Sequence, residues 1–483
     1  MKKHVWVIVV LMICLLSLSA SGVFVASVLN SEEEGEQISY DTFGAWTEVE
    51  TFQTVPIMPG EGHRIGKVED YGRKDYTVDV NGTTVKDYKN YLNVLSKAGF
   101  KKHSDNGEDA LDGYVYTAAF TKGDVTIVVS HIVSEEKTYI SASKQQLSEH
   151  LIYKEEYTEG LDSNAKTTVS LVELNNNGAS FVIQLKNGHF VVQDGGTQYD
   201  APYLVDYLES LTPGDEKPIV EAWFISHPHV DHYGALNEIA QSTLKNRLYV
   251  NGVYYHAPKD EMLVSESVLI STTCQALYSQ LKTEDGKVAG DYRPQLGQRY
   301  YFCDIVIDVS MTPEQLNSEG YSTAGPDVND TSVWLMHHIE GQKFLTGGDA
   351  SHGNLKAMMH LFDQSYFEVD VFAVLHHGIN VYQYAVDYID AKTLLYPSFR
   401  LGSLYSNKYP TLAREQENQY MRERAEESYS FANGTVVLTF PYKVGKAKVM
   451  EPCKWDYSGG IPRERRTTEW GWEWDGLRHY YNE

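Results

Sequence analysis

Cysteine is scarce in this sequence of 483 residues, which contains four. Cys14 lies in an apolar N-terminal run, so Cys274, Cys303 and Cys453 remain for the rest of the chain. Three cysteines allow at most one intramolecular disulfide and leave one thiol unpaired. A fold held together by disulfides is therefore excluded, and the chain is long enough to build two domains around packed cores.

Basic residues are also few, since 41 lysines and arginines stand against 66 aspartates and glutamates, for a formal net charge of −25. Residues 1–30 contain two lysines and no acid, so the remaining chain is more acidic still. Such a surface repels polyanions over about a Debye length. Tight non-specific binding of nucleic acid, which needs clustered lysine and arginine, is therefore not expected.

Charged residues are absent from Val5–Leu29. This run exceeds the roughly 20 residues that span a bilayer as a helix. Lysines precede it and Glu32–Glu34 follow it, which is the positive-inside arrangement. The sequence thus predicts that residues 1–30 are a single-pass anchor in the cell membrane, with the body outside the cytoplasm. A cleaved signal peptide is the alternative, and the protein would then be secreted.

The chain beyond this run divides into segments of different composition. Residues 31–60 are acidic and irregular, which is typical of a linker. Residues 61–150 predict a small α+β domain, with a strand at Tyr76–Val80 and a helix over residues 85–98 that Thr84 caps.

Residues 165–450 alternate strands with helices, and one helix is expected from about Ala235 to Leu244. The tail, residues 451–483, holds several tryptophans with arginines between them. Its rings either pack back onto the domain or stack on sugars or bases.

Three imidazoles and a carboxylate lie within the run Ser226–His232. The preceding stretch, Ile219–Ile225, is typical of a buried strand, and α/β folds place reactive groups in the loops that follow such strands. His227 and His229 can point at one place from a tight turn, and the last two residues of the run at a second place nearby. Neutral imidazole and carboxylate suit zinc, iron and manganese. The run predicts a metal site, and a histidine-rich surface loop is the alternative.

Two later segments offer partners for this cluster. Asp349 follows a short apolar strand and two glycines, which allow close approach of the backbone. Its carboxylate can bridge two cations, although an aspartate here is also typical of a turn or a helix cap. His376 ends the apolar run Val371–Leu375, so we expect this residue, rather than His377, to be a ligand.

In this order, the motifs resemble those of the metallo-β-lactamase superfamily. The pattern is most similar to the extracytoplasmic metallo-β-lactamase domain of the late-competence DNA-uptake channel protein. The resemblance covers roughly residues 165–445. The segments that carry it are Ala179–Gly196, His227–His232, Asn329–Leu335, Phe344–Asp349 and Val371–Gly378.

The resemblance implies an α/β fold, the four-layer αβ/βα sandwich, that binds two divalent ions. Zinc is expected first, with manganese or iron as alternatives. The implied metal ligands are His227, His229, Asp231, His232, Asp349 and His376.

The implied activity is hydrolysis of a small or polymeric phosphodiester or related ester by a metal-activated hydroxide. Asp231 would orient the hydroxide and receive its proton, and His377 would donate a proton to the leaving group. The alternatives are a sensory or binding module with a degenerate metal site, and a hydrolase of carboxylic esters or lactams.

This sequence departs from the superfamily pattern at one place. Many members carry a further histidine between the first motif and the bridging aspartate, where this chain has Asn329 and Asp330. An oxygen from either residue would complete the first site, and Asp194 in the Asp-Gly-Gly turn is another candidate ligand or supporting residue. Oxygen-richer coordination would shift the preference from zinc towards manganese or iron. His337 and His338 are interpreted as ordinary strand residues.

Overall fold

The structure is a computed structural model that describes residues 46, 49–60, 62–107, 110–175, 178–259, 277–317, 328–379, 381–398 and 412–451. The predicted membrane segment and nearly all of the aromatic tail lie outside these residues. None of the helices in the described part of the chain combines the length and the apolar character that crossing a bilayer requires.

The N-terminal part of the described chain is an antiparallel sheet with one helix against it. The spatial order of its strands is β1-β3-β7-β6-β5-β4, and β2 pairs with β3. The strands are β1 (Arg64–Ile65), β2 (Glu69–Asp70), β3 (Tyr76–Asn81), β4 (Lys101–Asp105), β5 (Val115–Lys122), β6 (Val125–Ile132) and β7 (Lys137–Ser143).

Helix α1 (Val85–Lys97) begins where the sequence predicts. The Thr84 side chain accepts a hydrogen bond from the Asp87 amide, and the Asp87 carboxylate accepts one from the Thr84 amide. These bonds satisfy two amides that a helix start leaves without partners. The buried face of α1 consists of Tyr88, Tyr91, Leu92 and Leu95.

The core of this domain also includes residues from the segment expected to be a linker. Trp46, Phe52, Val55 and Met58 are buried against the sheet and α1. The domain therefore extends to residues before 61, which corrects the linker boundary expected at residue 60. Burial of these apolar side chains outweighs the acidic composition of the surrounding segment.

Two further sheets form the larger domain. In the first sheet, the order is β14-β13-β11-β10-β9-β8-β22-β23, β12 pairs with β11, and β10, β11 and β13 are parallel. Its strands are β8 (Thr168–Leu171), β9 (Ser180–Gln184), β10 (Phe190–Asp194), β11 (Ile219–Ile225), β12 (Tyr249–Val250), β13 (Gly252–Tyr255), β14 (Gly290–Tyr292), β22 (Val436–Thr439) and β23 (Lys448–Val449).

The strands of the second sheet follow chain order from β15 to β21, and the last four are mutually parallel. They are β15 (Arg299–Phe302), β16 (Ile305–Met311), β17 (Trp334–Ile339), β18 (Gln342–Thr346), β19 (Glu368–Ala373), β20 (Asp390–Tyr396) and β21 (Glu427–Ser430).

The two sheets pack face to face in a mixed α/β sandwich. Phe181 of the first sheet and Phe344 of the second meet edge to face at 5.6 Å in the shared core. Helices with buried apolar faces pack on the sheets. The helices are α2 (Ala201–Leu211), α3 (Val230–Gln241), α4 (His352–Leu361), α5 (Gln383–Tyr388) and α6 (Leu412–Arg424).

The small domain is docked on the larger one through the turn that precedes β15. The main-chain oxygen of Leu296 in this turn accepts hydrogen bonds from Thr117 and Ser130 of the small sheet, at 2.9 and 2.7 Å. Leu296 is also buried in a core that contains Val115 and Ile132 together with side chains of the second sheet. The two domains therefore share apolar core as well as hydrogen bonds.

Candidate metal centre

The histidine-rich motif begins in a turn and ends in a helix. His227 follows β11 and is fully buried, and His229 occupies the position immediately before α3 with extended backbone angles. Asp231 and His232 therefore lie in the first turn of α3, and the His232 amide donates to the His229 carbonyl at 3.0 Å. The helix starts five residues earlier than the predicted Ala235, because the motif itself forms its first turn.

A first group of potential ligands consists of His227, His229 and Asp349, whose ligand atoms all lie within 4.8 Å of one another. The Nε2 atom of His227 lies 2.9 Å from Nδ1 of His229 and 3.9 Å from Oδ2 of Asp349. Asp349 reaches this place from the carboxyl end of β18.

A second group consists of Asp231, His232, Asp349 and His377, whose ligand atoms also lie within 4.8 Å of one another. His232 Nε2 is 3.1 Å from Asp349 Oδ1. His377 Nε2 is 3.2 Å from Asp231 Oδ2 and 3.3 Å from Asp349 Oδ2. Asp349 thus belongs to both groups, in the position that a bridging carboxylate would take.

The two adjacent histidines, His376 and His377, are placed differently from what the sequence predicts. His377 is fully buried, its Nδ1 lies 2.8 Å from the Pro397 carbonyl, and its Nε2 is directed into the second group. The His376 side chain is 14% exposed and lies outside both groups, with Nε2 3.5 Å from Asp349 Oδ2. The physical reason is the turn after β19, where both residues have positive φ, +46° and +55°, so the chain does not continue as a strand. The structure therefore places His377, rather than the expected His376, among the potential ligands of the second group, and the ligand role of His376 stays a prediction.

Asp194 and Ser226 support the histidine motif from the side opposite to its potential ligand atoms. Asp194, at the end of β10, accepts hydrogen bonds from the Ser226 amide and hydroxyl, both at 2.8 Å. Its Oδ2 also lies 2.9 Å from His232 Nδ1. A ring that donates from Nδ1 keeps Nε2 available to a cation, so Asp194 acts through His232 and lies outside both groups.

A family model covers the residues of both groups. The family model described as the metallo-beta-lactamase superfamily matches residues 175–381. This region is a metallo-β-lactamase superfamily domain. No curated protein sequence matches the chain.

Solved structures similar to the metallo-β-lactamase domain have low sequence identity. Tm1679, a metal-dependent hydrolase of the β-lactamase superfamily, is 12% identical with a TM-score of 0.32, and the match covers 56% of this chain and 98% of Tm1679. The MIM-2 metallo-β-lactamase is 13% identical with a TM-score of 0.27, covering 56% and 93%. Zinc-bound PqqB from Methylobacterium extorquens is 10% identical with a TM-score of 0.28, covering 43% and 71%. None of these comparisons supports the narrower resemblance to the DNA-uptake channel protein.

Asp330 of the metallo-β-lactamase domain belongs to neither group of potential ligands, because its carboxylate binds backbone amides. Its Oδ1 accepts hydrogen bonds from the Ser351 amide at 3.2 Å and the Asn354 amide at 3.0 Å, at the start of α4. Its neighbour Asn329 provides its main-chain oxygen to the Ser332 amide at 3.1 Å. The carboxylate that stands in place of the further histidine therefore caps a helix.

The electrostatics of the second group suit a cation. Burial lowers the pKa of His377, but Asp349 and Asp231 outweigh it and raise the pKa to about 10. Burial also lowers the pKa of His232, while Asp349, Asp194 and Asp231 raise it well above the usual value. Carboxylates thus stabilise positive charge at this place, which a divalent ion can supply when the rings are neutral ligands.

Two buried imidazole nitrogens in the second group also fit metal binding. His232 Nε2 and His377 Nε2 are buried and have no hydrogen-bond partner in the described part of the chain, although both face carboxylate oxygens. A buried polar atom without a partner is costly, and coordination to an ion would satisfy both nitrogens. The residues of the two groups therefore fit two divalent ions.

Sequence reasoning missed two serines that position these side chains. Ser226 binds Asp194, and its hydroxyl also lies 3.0 Å from His227 Nδ1. Ser332 accepts a hydrogen bond from the Asp349 amide at 3.1 Å. The available signal was their sequence position, because one immediately precedes the histidine motif and the other lies in the Asn329–Leu335 segment.

Proposed function

We propose that this protein is a metal-dependent hydrolase of phosphodiesters or closely related esters. The observation that supports this most directly is the sharing of Asp349 between two groups of potential ligands. A centre that held two ions would stabilise both the attacking and the leaving oxygen of an in-line displacement, which suits a phosphodiester.

His227, His229 and Asp349 would hold one ion, and Asp231, His232, Asp349 and His377 the other. When bound, such ions lower the pKa of water and stabilise negative charge that develops on oxygen. We expect zinc to occupy both places, with manganese or iron as alternatives.

Side chains of the candidate centre would orient the attacking water and contact the substrate. Asp231 Oδ2 lies 3.2 Å from His377 Nε2, and the residue is 7% exposed, so its carboxylate can orient a water molecule and receive its proton. His376 is the more exposed of the two adjacent histidines and borders Asp349, so it is placed to contact the substrate. This is the side of the centre at which we expect the leaving group.

The test combines metal content with turnover on the same samples. The full chain and an Asp349→Asn variant would be analysed by mass spectrometry and assayed with bis-p-nitrophenyl phosphate in the presence of zinc, manganese or iron. We expect about two ions per chain and phosphodiester cleavage, both of which fall in the variant. Glu221→Gln is the matched control, because Glu221 lies in β11 but outside both groups.

Other outcomes would identify the alternatives. Cleavage of p-nitrophenyl acetate or of a lactam, without phosphodiester cleavage, would show a hydrolase of another class. Metal binding without turnover of any of these esters would favour a sensory or binding module.

We propose further that the protein acts outside the cytoplasm, attached to the membrane by residues 1–30. The support is the uncharged run Val5–Leu29 with lysines before it and acids after it. The acidic composition also favours a substrate other than tightly bound nucleic acid. Protease added to intact cells should digest the body of an anchored protein, and a body that is protected until the cells are lysed would contradict this location.

A further inference from the structure

A cavity of about 650 Å³ lies at the end of the first sheet where β11 and β13 begin, opposite to the metal centre. Its lining includes Glu221, near the start of β11, and Asn251, directly before β13. His227 follows the other end of β11. Glu221 lies four positions before the end of β11, which corresponds to about 13 Å of strand at roughly 3.3 Å per residue, and His227 lies beyond that end. The cavity is therefore distinct from the candidate active site.

Three tyrosines are among the residues that line the cavity. Tyr157, in the segment that connects the two domains, stacks against His150 at 5.3 Å, and Lys154 Nζ lies 5.4 Å from its ring centroid, so a ligand would contact the part of the ring that these two residues leave open. Tyr292 of β14 lies 5.0 Å from the ring of Tyr254. Tyr153, which precedes Lys154 of the lining in the sequence, is 53% exposed.

The polar groups of the wall are mainly acceptors. Five carboxylates and two lysines line the cavity. Lys154 binds Glu149 at 2.6 Å, and Lys287 binds Asp285 at 2.6 Å, so acids already neutralise both ammonium groups. Ionised carboxylates only accept hydrogen bonds, so a ligand group that binds to them beside their protein partners would have to be a donor, and the excess of negative charge disfavours an anion.

We propose that this cavity binds an uncharged saccharide. A sugar ring presents an apolar face to a tyrosine and several hydroxyl donors to carboxylates and amides, which matches the combination of groups in the wall. The volume lies within the range of small-molecule sites. The site would hold the enzyme on a carbohydrate-bearing partner without using the metal centre.

The test is saccharide binding to the full chain, measured by saturation-transfer NMR and calorimetry. The neutral probes are cellobiose, maltose and N,N′-diacetylchitobiose, and the charged probes are glucuronic acid and putrescine. We expect at least one neutral disaccharide to bind and both charged probes to fail. Tyr157→Ala should weaken that binding about tenfold by removing one stacking surface.

Two further variants separate this result from unfolding. Glu221→Gln keeps the shape of the side chain but loses its charge, and should also weaken saccharide binding while metal content stays unchanged. Tyr420→Ala, on the exposed side of α6, should leave saccharide binding unchanged. The proposal is overturned if no neutral disaccharide binds, if only a charged probe binds, or if Tyr157→Ala and Glu221→Gln leave the affinity unchanged.

Discussion

Asp194 holds His232 from the side opposite to the candidate metal centre. Oδ2 of Asp194 lies 2.9 Å from Nδ1 of His232, while Nε2 of the same ring lies 3.1 Å from Asp349 Oδ1. The two carboxylates thus lie on opposite sides of one imidazole. Such an arrangement sets both the tautomer and the orientation of a ligating histidine.

Replacement of Asp194 by asparagine should weaken metal binding about 10- to 100-fold. The carboxylate receives the Ser226 amide and hydroxyl and faces His232 Nδ1, and an amide group would turn its own donors towards one of these. Affinity would be measured by competition with a chelator. The Glu221→Gln variant should retain the wild-type affinity, and equal affinity in Asp194→Asn would show that the contact with His232 does not support binding.

Separate alanine variants of His377 and His376 should have different metal contents. His377→Ala removes a buried nitrogen of the second group, so about one ion per chain should be lost. His376→Ala leaves both groups complete, so metal content should remain while turnover falls. Metal analysis beside steady-state kinetics checks both, and loss of metal from His376→Ala alone would restore the assignment expected from the sequence.

Gly348→Ala should destabilise the protein and lower its metal content. Gly348 has φ of +52°, and a Cβ atom there would lie 2.7 Å from Ser226 Cβ and 2.9 Å from Ser332 Oγ. The added methyl would therefore push on both serines that support the centre. Gly341→Ala is the matched control, because Gly341 has φ of +75° and nothing within 4 Å of the added atom.

Denaturant unfolding of these two glycine variants separates backbone strain from steric conflict. The free energy of unfolding of Gly341→Ala should fall by about 1–2 kcal/mol, because alanine disfavours the left-handed backbone conformation at this position. Gly348→Ala should lose more than this and should also bind less metal. Equal losses in the two variants, with unchanged metal content, would contradict the steric explanation.

His337 should make the protein less stable in acid. It is fully buried in β17 against Phe344, and burial lowers its pKa to about 3. The unfolded chain, with a histidine pKa of about 6.5, takes up a proton first as the pH falls. The contribution of neutral His337 to the free energy of unfolding is therefore complete above about pH 6.5. It decreases towards pH 4, where the free energy of unfolding has fallen by about 3 kcal/mol.

The measurement is the free energy of unfolding of wild type and His337→Gln between pH 7 and pH 4. The variant should lose less stability than wild type over this range, whatever its stability at pH 7. Parallel curves for the two proteins would show that His337 does not account for the pH dependence.

Several features could be predicted from the sequence because they depend on neighbouring residues. The cap of α1 rests on Thr84 and Asp87, three positions apart, and formed as predicted. The motif His227–His232 is also local, because its ligands lie within six residues after one buried strand. The interpretation of His337 and His338 as strand residues is likewise confirmed, since both lie in β17.

Other features depend on contacts between distant parts of the chain. The burial of Trp46 and Phe52 could not be predicted from the acidic, irregular sequence around them, because the residues they pack against lie on α1 and on strands of the small sheet. The sequence alone predicts Asp330 as a candidate ligand. In the structure, its carboxylate instead accepts hydrogen bonds from two amides at the start of α4.

The sequence by itself determined the kind of chemistry this protein can hold, since the residue types and their order predict most of the side chains that could bind metal and carry the resemblance to the superfamily. The tertiary structure alone decided which of His376 and His377 faces the second group, and that Asp349 is shared by both groups. The physical reason is that an imidazole is directed by backbone angles and by its second nitrogen. Here those are the positive φ values after β19 and the hydrogen bond to Pro397, and both depend on how the strands pack.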